Sequence, residues 1–309
     1  SGMSQKEQML SSDNDIYLKP DMLIDPEPGI LLEQVLNEIF KPKNQQEKSF
    51  IENIDYIFSA EGEIEKLAYE SLVNYLIRRL VNTGDYIRRQ LLQEANLLIE
   101  SEKEQMDVWG VLYERLRIFF RYQTRLSEED AERIIAALVP CIRIKNQDPK
   151  IKKVKRSKVV SKQAQSNGEL RCYICGCSTT KEESVVEHSW PKAFGGSKSL
   201  ENLRIACDTC NKIKDNHIQT TDFHYERISL ASHENESGFL AELNRVNFYK
   251  IALWARSDYS CTVCGKRAEE IGQLDFTRKN SGDSWHFVNI DAVCSTCKKI
   301  EDPEGESNE

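Results

Sequence analysis

Apolar residues recur at helical spacing through the first half of the chain. Ile30, Leu31, Val35, Ile39 and Phe40 share one face of a helix that begins near Gly29. A longer run between residues 61 and 100 carries Leu67, Leu72, Leu76, Leu80 and Val81, then Ile87, Leu91, Leu92 and Leu98. The intervening Asn82-Thr83-Gly84-Asp85 predicts a break into two helices. Trp109 to Tyr122 predicts another helix. Ser127-Glu128-Glu129-Asp130 has the pattern of a capping box, opening a helix through Ala131, Ile134, Ile135 and Leu138 that Pro140 should end. Residues 1–28, polar and holding Pro20, Pro26 and Pro28, read as a loosely held arm. The first 149 residues therefore predict an all-α domain of five or six helices with no catalytic constellation.

The pattern then changes. Residues 150–169 are basic and predict a linker, either a solvated hinge or an arm that tracks phosphate. Gly238 to Arg256 predicts one amphipathic helix through Phe239, Leu240, Leu243, Val246, Ile251 and Leu253, and the acidic tail from 301 to 309 predicts disorder. Charge follows the same division: net −9 over residues 1–149, +6 over 150–169 and −5 over 170–309. A total of −8 argues against a general nucleic-acid coat and leaves phosphate contact to local patches. No apolar run approaches about eighteen residues, so no membrane helix is expected. Ser1-Gly2-Met3 reads as a tag-cleavage scar and not a signal peptide, which gives a cytoplasmic expectation.

Eight of the ten cysteines form four Cys-x-x-Cys pairs: Cys172/Cys175, Cys207/Cys210, Cys261/Cys264 and Cys294/Cys297. In a long chain without a secretory signal such pairs read as metal knuckles. Two knuckles supply four thiolates, which close a tetrahedral Zn²⁺ site and leave no position for substrate. Two structural Zn²⁺ are expected. Cys141 reads as core and Cys177 as incidental. The 31 residues between Cys175 and Cys207 exceed an ordinary ribbon loop, and the insert contains Glu187-His188-Ser189-Trp190-Pro191.

Glu187-His188, Pro191, Gly195-Gly196, Asn202-Leu203 and the run from Cys207 to Cys210, Asn211 and Lys214 together resemble the zinc-knuckle type of HNH endonuclease. His188 and Asn202 stand fourteen residues apart and Asn202 and Asn211 nine apart, both usual for that family. The resemblance implies a ββα-metal hairpin and helix over about residues 170–218, with DNA as substrate and RNA left open. It departs from the family where Glu187 replaces a common Asp and Asn211 a common His; both still offer oxygen to a hard cation.

Phosphodiester hydrolysis needs a base for water near neutral pH and a cation for the developing charge. His188 is the expected base. By resemblance, Glu187 and Asn211 would hold one Mg²⁺ or Mn²⁺, Asn202 would pin the loop that orients His188, and Lys214 would contact phosphate. A regular strand would point Glu187 and His188 to opposite faces, so the resemblance requires an irregular hairpin here. The competing reading is a non-catalytic double-zinc nucleic-acid-binding or scaffolding protein. His217 and His224 read as surface or helix residues and Trp190 as core.

The second knuckle pair repeats the first. Asn289 stands five residues before Cys294, as Asn202 stands before Cys207, and Lys298 takes the place of Asn211. Counting from the first knuckle, with a one-residue deletion, places Asp275-Phe276 at the position of Glu187-His188. An internal repeat that keeps the zinc and lacks the chemistry is expected, with an unrelated ribbon as the alternative. His286 is left without a role.

The expected architecture is α+β. It runs from a helical regulatory or partner domain (1–149) through a basic linker (150–169), a nuclease domain (170–218), connecting helices (219–257) and a degenerate zinc module (258–300) to the tail. An HNH domain behind an acidic helical domain suggests an effector of anti-phage defence or of a mobile element, held in check until a protein partner binds the helices.

Overall fold

The computed structural model describes residues 27–40, 63–99, 107–148, 150–217, 232–233, 235–245 and 247–301. Residues 1–26 of the expected arm, His224 and the tail beyond Glu301 lie outside them, whereas Glu27 is buried and Pro28 begins a helix.

Four helices of the N-terminal half are described: α1 (Pro28–Phe40), α2 (Glu63–Ile99), α3 (Val108–Gln123) and α4 (Glu128–Lys145). Pro28 takes the first helical position of α1, where its missing N–H leaves nothing unsatisfied. Ser127 caps α4, its Oγ accepting from the Asp130 amide at 3.1 Å. Leu32, Leu36, Val73, Ile77, Leu112, Leu116, Ile134 and Leu138 meet in one buried core.

Two expected breaks are absent. α2 runs through Asn82–Asp85 without interruption. Gly84 lies against α4 there, where a Cβ would come within 2.4 Å of Ile142 Cδ1, so it serves close helix packing and not a turn. Asp85 is buried and accepts from Asn146 Nδ2 at 2.8 Å. α4 likewise continues past Pro140, and the buried Cys141 beside it donates its thiol to the Ala137 carbonyl at 3.3 Å.

The basic segment expected to be a linker contains a helix, α5 (Lys153–Gln163). Its Val159 and Val160 join Leu170, Leu203 and Ile205 in a small core, and two of its cations are tied to the hairpin, Lys155 donating to the Lys198 carbonyl and Arg156 to that of Ser184. Gln163 anchors it, donating to the Arg171 carbonyl and accepting from the Ile205 amide, each at 2.8 Å.

The zinc modules are built from short antiparallel pairs. β1 (Leu170–Arg171) pairs β2 (Ser178–Thr179), and β3 (Ser184–His188) pairs β4 (Leu203–Cys207), which leads into α6 (Asp208–Lys214). β5 (Ser232–His233) is followed by α7 (Glu236–Arg245) and α8 (Asn247–Arg256) in the region expected to be one helix, and Val246 between the two lies outside the described residues. The second module contains α9 (Ala268–Ile271), β6 (Asp275–Arg278), β7 (Trp285–His286), β8 (Ile290–Val293) and α10 (Ser295–Glu301). β5 pairs β7, and β6 pairs β8. Phe239, Ala252 and Trp254 pack with Tyr173 and Ala206 of the first module and Phe276, Phe287 and Val293 of the second, so both share one core. The whole is α+β, as the alternation of patterns predicts.

The modules correspond bond for bond. The Ser189 amide donates to the Asn202 carbonyl at 2.7 Å, and the Lys279 amide to that of Asn289 at 2.8 Å. Asn202 Nδ2 donates to the carbonyls of Trp190 and Ser197; Asn289 Nδ2 donates to those of Asn280 and Ser284. The Tyr173 amide reaches the Ile205 carbonyl as the Thr262 amide reaches that of Ala292. Gly176 and Gly265 turn the two first knuckles at φ 70° and 72°. The strand register corrects the sequence alignment. His188 stands opposite Leu203 and Arg278 opposite Ile290, so Thr277-Arg278 occupies the place of Glu187-His188, not Asp275-Phe276. Counting from the knuckle hid this, because the connection into β6 is one residue longer than that into β3 and the loop after β6 three shorter than that after β3.

Candidate metal and nuclease site

Each cysteine quartet is assembled from two knuckles, one before the hairpin and one at the start of the following helix. The Sγ atoms of Cys172, Cys175, Cys207 and Cys210 lie within 4.8 Å of one another, as do those of Cys261, Cys264, Cys294 and Cys297. Zn–S bonds of about 2.3 Å in a tetrahedron place sulfurs about 3.8 Å apart. The separations of 4.0 Å for Cys175–Cys207 and 3.9 Å for Cys264–Cys294 fit that ion. Cys177 is exposed, its Sγ 3.1 Å from that of Cys175.

The hairpin inside the first module carries the expected site. β3 is a regular strand, and alternation places Glu187 and His188 on opposite faces. Glu187 points inward and is buried. Its carboxylate accepts from Lys214 Nζ at 2.9 Å and from the Tyr173 hydroxyl at 3.1 Å. Burial raises its pKa above the usual carboxylate value, opposed by the Lys214 charge and by these two hydrogen bonds. Arg204 lies over the Tyr173 ring, 4.5 Å from its centroid.

Lys214 is 1% exposed, and it also donates to the His188 carbonyl at 3.0 Å. Lys214, expected from the sequence to contact phosphate, has its ammonium engaged inside the fold. Asn211 lies one turn earlier on α6, partly exposed, on the helix that packs against β3 and β4.

His188 ends β3 on the other face and is half-buried. Its Nε2 is shut from solvent and has no hydrogen-bond partner among the described residues. Burial, then the charges of Lys214, Lys192 and Lys198, push its pKa down to about 4 against the opposing charge of Glu27. The imidazole is thus neutral at physiological pH with an unengaged nitrogen, the state a general base requires.

Asn202, 3% exposed, ties the loop that follows. Its Oδ1 accepts from the Trp190 amide at 2.6 Å, and its Nδ2 donates to the carbonyls of Trp190 at 3.0 Å and Ser197 at 2.9 Å. Gly196 is required here because a Cβ would meet the Trp190 carbonyl oxygen at 1.7 Å. The loop's apolar side chains, Trp190 and Phe194, are buried in the core of the helical half. His217 follows α6, its Nδ1 3.1 Å from the Ile213 carbonyl oxygen.

His188 offers a neutral imidazole at the strand end and Asn211 a partly exposed side-chain amide, a donor type suited to a hard cation, while Lys214 and Tyr173 hold the Glu187 carboxylate on the far face of the strand from His188. Sequence reasoning missed Tyr173, which is hidden within a knuckle and carries no signal of its own. It also missed Glu27, Ser197 and Ser199, although small polar residues after Gly195-Gly196 are a signal for bonds to loop backbone.

Among the described residues no helix is long and apolar enough to cross a membrane. No curated protein and no solved structure matches the chain. Residues 172–222 match the model of a family described as HNH endonuclease. The segment that bears the first cysteine tetrad, Glu187-His188, Asn202 and Asn211 is thereby identified with the HNH endonuclease family.

Proposed function

We propose that the chain is a metal-dependent endonuclease that hydrolyses phosphodiester bonds in DNA from the hairpin of its first zinc module. The observation that carries this reading is His188: a neutral ring with an unpartnered Nε2 at the end of the strand in the HNH-matching segment. Nε2 accepts a proton from water, the water oxygen attacks phosphorus, and one P–O ester bond breaks as the leaving oxygen departs. Asn202 holds the turn after His188 and so fixes the direction of the ring. A bound Mg²⁺ or Mn²⁺ would supply charge compensation for the phosphate and the leaving oxygen. Glu187 could serve that ion only by giving up Lys214.

Nε2 is closed to water in this arrangement, and the helical half buries the loop beside it. That supports a nuclease held in check by its helices until a protein partner or signal moves them. An HNH domain behind an acidic helical half suits an effector of anti-phage defence or of a mobile element.

The test is plasmid DNA incubated with the protein and Mg²⁺ or Mn²⁺, beside His188→Ala and a chelated control. Cleavage that needs both the metal and His188 supports the reading. A binding protein without chemistry would retain the plasmid intact under every condition, including with candidate partners present.

A further inference from the structure

The loop Ser197-Lys198-Ser199 follows the Gly-Gly turn and lies beside His188. Its polar groups converge on a carboxylate from the other half of the chain. Glu27, 9% exposed at the start of α1, accepts from the Ser197 amide at 2.6 Å, from the Ser197 hydroxyl at 2.8 Å and from the Ser199 hydroxyl. Asn202 shapes the same loop, donating from its amide to Ser199 Oγ at 3.1 Å and from Nδ2 to the Ser197 carbonyl. The donors that grip Glu27 are therefore fixed by the residue that orients the loop after His188.

Two cations flank them. Lys192 Nζ donates to the Lys145 carbonyl at the end of α4 at 2.7 Å, and Lys198 Nζ to the Lys150 carbonyl at 2.8 Å. The Gly29 amide binds the Gly195 carbonyl at 3.2 Å, and Gly29 lets α1 approach Trp190, whose Nε1 a Cβ would meet at 1.9 Å. One backbone N–H and two hydroxyls set around an oxyanion, with Lys192 and Lys198 on the same connection between β3 and β4, form a phosphate site in chemical terms. The second module has no such set: Ser284 takes the place of Ser197, and His286 that of Ser199.

We infer that the Ser197–Ser199 loop is a subsite for a backbone phosphate of the nucleic acid, and that Glu27 fills it as an internal stand-in. The inference rests on the nuclease reading of the same hairpin and names its substrate contact. Release of α1 and the end of α4 from the loop exposes the donors and both lysines together. Substrate and Glu27 then compete for one set of donors, so nucleic-acid binding and docking of the helices exclude each other.

The experiment measures binding of a fluorescent DNA duplex to the zinc-loaded full chain with the catalytic divalent ion withheld, so that cleavage does not enter. Glu27→Ala and the isosteric Glu27→Gln should each bind roughly tenfold more tightly than the unaltered chain, about 1.4 kcal/mol. Adding Ser197→Ala and Ser199→Ala to Glu27→Gln should cancel the gain. Inorganic phosphate should raise the thermal midpoint of Glu27→Gln more than chloride at equal ionic strength, and should leave the unaltered chain unmoved. A phosphate response without a gain for DNA would show a site for free phosphate and overturn the nucleic-acid assignment. Unchanged DNA affinity in both Glu27 variants, or a gain that survives loss of the serines, would show Glu27 to be a structural tether only. Tighter binding by Glu27→Gln, with no cleavage when Mg²⁺ or Mn²⁺ is then added to the His188-containing protein, would instead refute the nuclease reading and leave the subsite standing.

Discussion

The Lys214 ammonium lies 2.9 Å from the Glu187 carboxylate and 3.0 Å from the His188 carbonyl oxygen, inside the fold. One buried cation therefore joins the helix of the HNH-matching segment to the strand that ends in His188. It satisfies a carboxylate that burial would otherwise push toward its neutral form.

Lys214→Met should accordingly destabilise the protein by about 3–5 kcal/mol, because it leaves Glu187 buried without its counter-charge. Urea unfolding measures this. A variant as stable as the parent that had only lost DNA affinity would restore Lys214 to the phosphate-contacting role expected from the sequence.

The two sulfur tetrads predict two Zn²⁺ per chain by elemental analysis. Cys264→Ser should reduce the count to one and lower stability, and the first module should feel the loss. The modules share a core, Tyr173 and Tyr259 meet edge to face at 5.3 Å, and a Cβ on Gly176 would lie 2.2 Å from the Gly272 backbone. A parent chain with one zinc would contradict the second site.

His188 should titrate near 4 in the folded chain, against 6.5 for a free imidazole. Between those values the unfolded chain binds a proton that the folded chain refuses. The contribution is therefore fully present above pH 6.5 and is lost as the pH falls toward 4. The ring is half-buried, so water screening leaves about 1–2 kcal/mol of the full effect. The ring-proton NMR signals of His188, assigned by comparison with His188→Ala, give the midpoint directly. A midpoint at or above 6.5 would mean the ring is not desolvated as described.

Much of this was legible in the residues. Knuckle spacing fixed both tetrads, and the interval from Asn202 to Cys207 located the loop-pinning asparagine and its copy at Asn289. What the residues concealed was set by contacts distant in sequence. Gly84 and Asp85 look like a turn, yet Gly84 is small because Ile142 presses on it, and Asp85 is satisfied by Asn146. Lys214 looks like a surface cation until Glu187, 27 residues earlier, is seen to face it. The basic run at 150–169 reads as a linker because its cations outnumber Val159 and Val160, the two buried residues of the helix it contains. The alignment of Asp275-Phe276 with Glu187-His188 failed because loop lengths differ between the copies, which only the hydrogen-bond register exposes.

That register also sharpens the central claim, that the chain repeats the zinc fold but performs its chemistry once. Arg278 occupies the place of His188; its guanidinium donates to the Asp283 carbonyl at 2.8 Å and lies over Trp285, and it offers no base. The direct measurement is the single-turnover rate of plasmid cleavage with Mn²⁺ for His188→Ala and Arg278→Ala, each with zinc content and folding confirmed. The account predicts a loss of roughly 10²–10⁴-fold for His188→Ala and a rate close to the parent's for Arg278→Ala. Equal losses in the two variants, or cleavage that persists without His188, would contradict it.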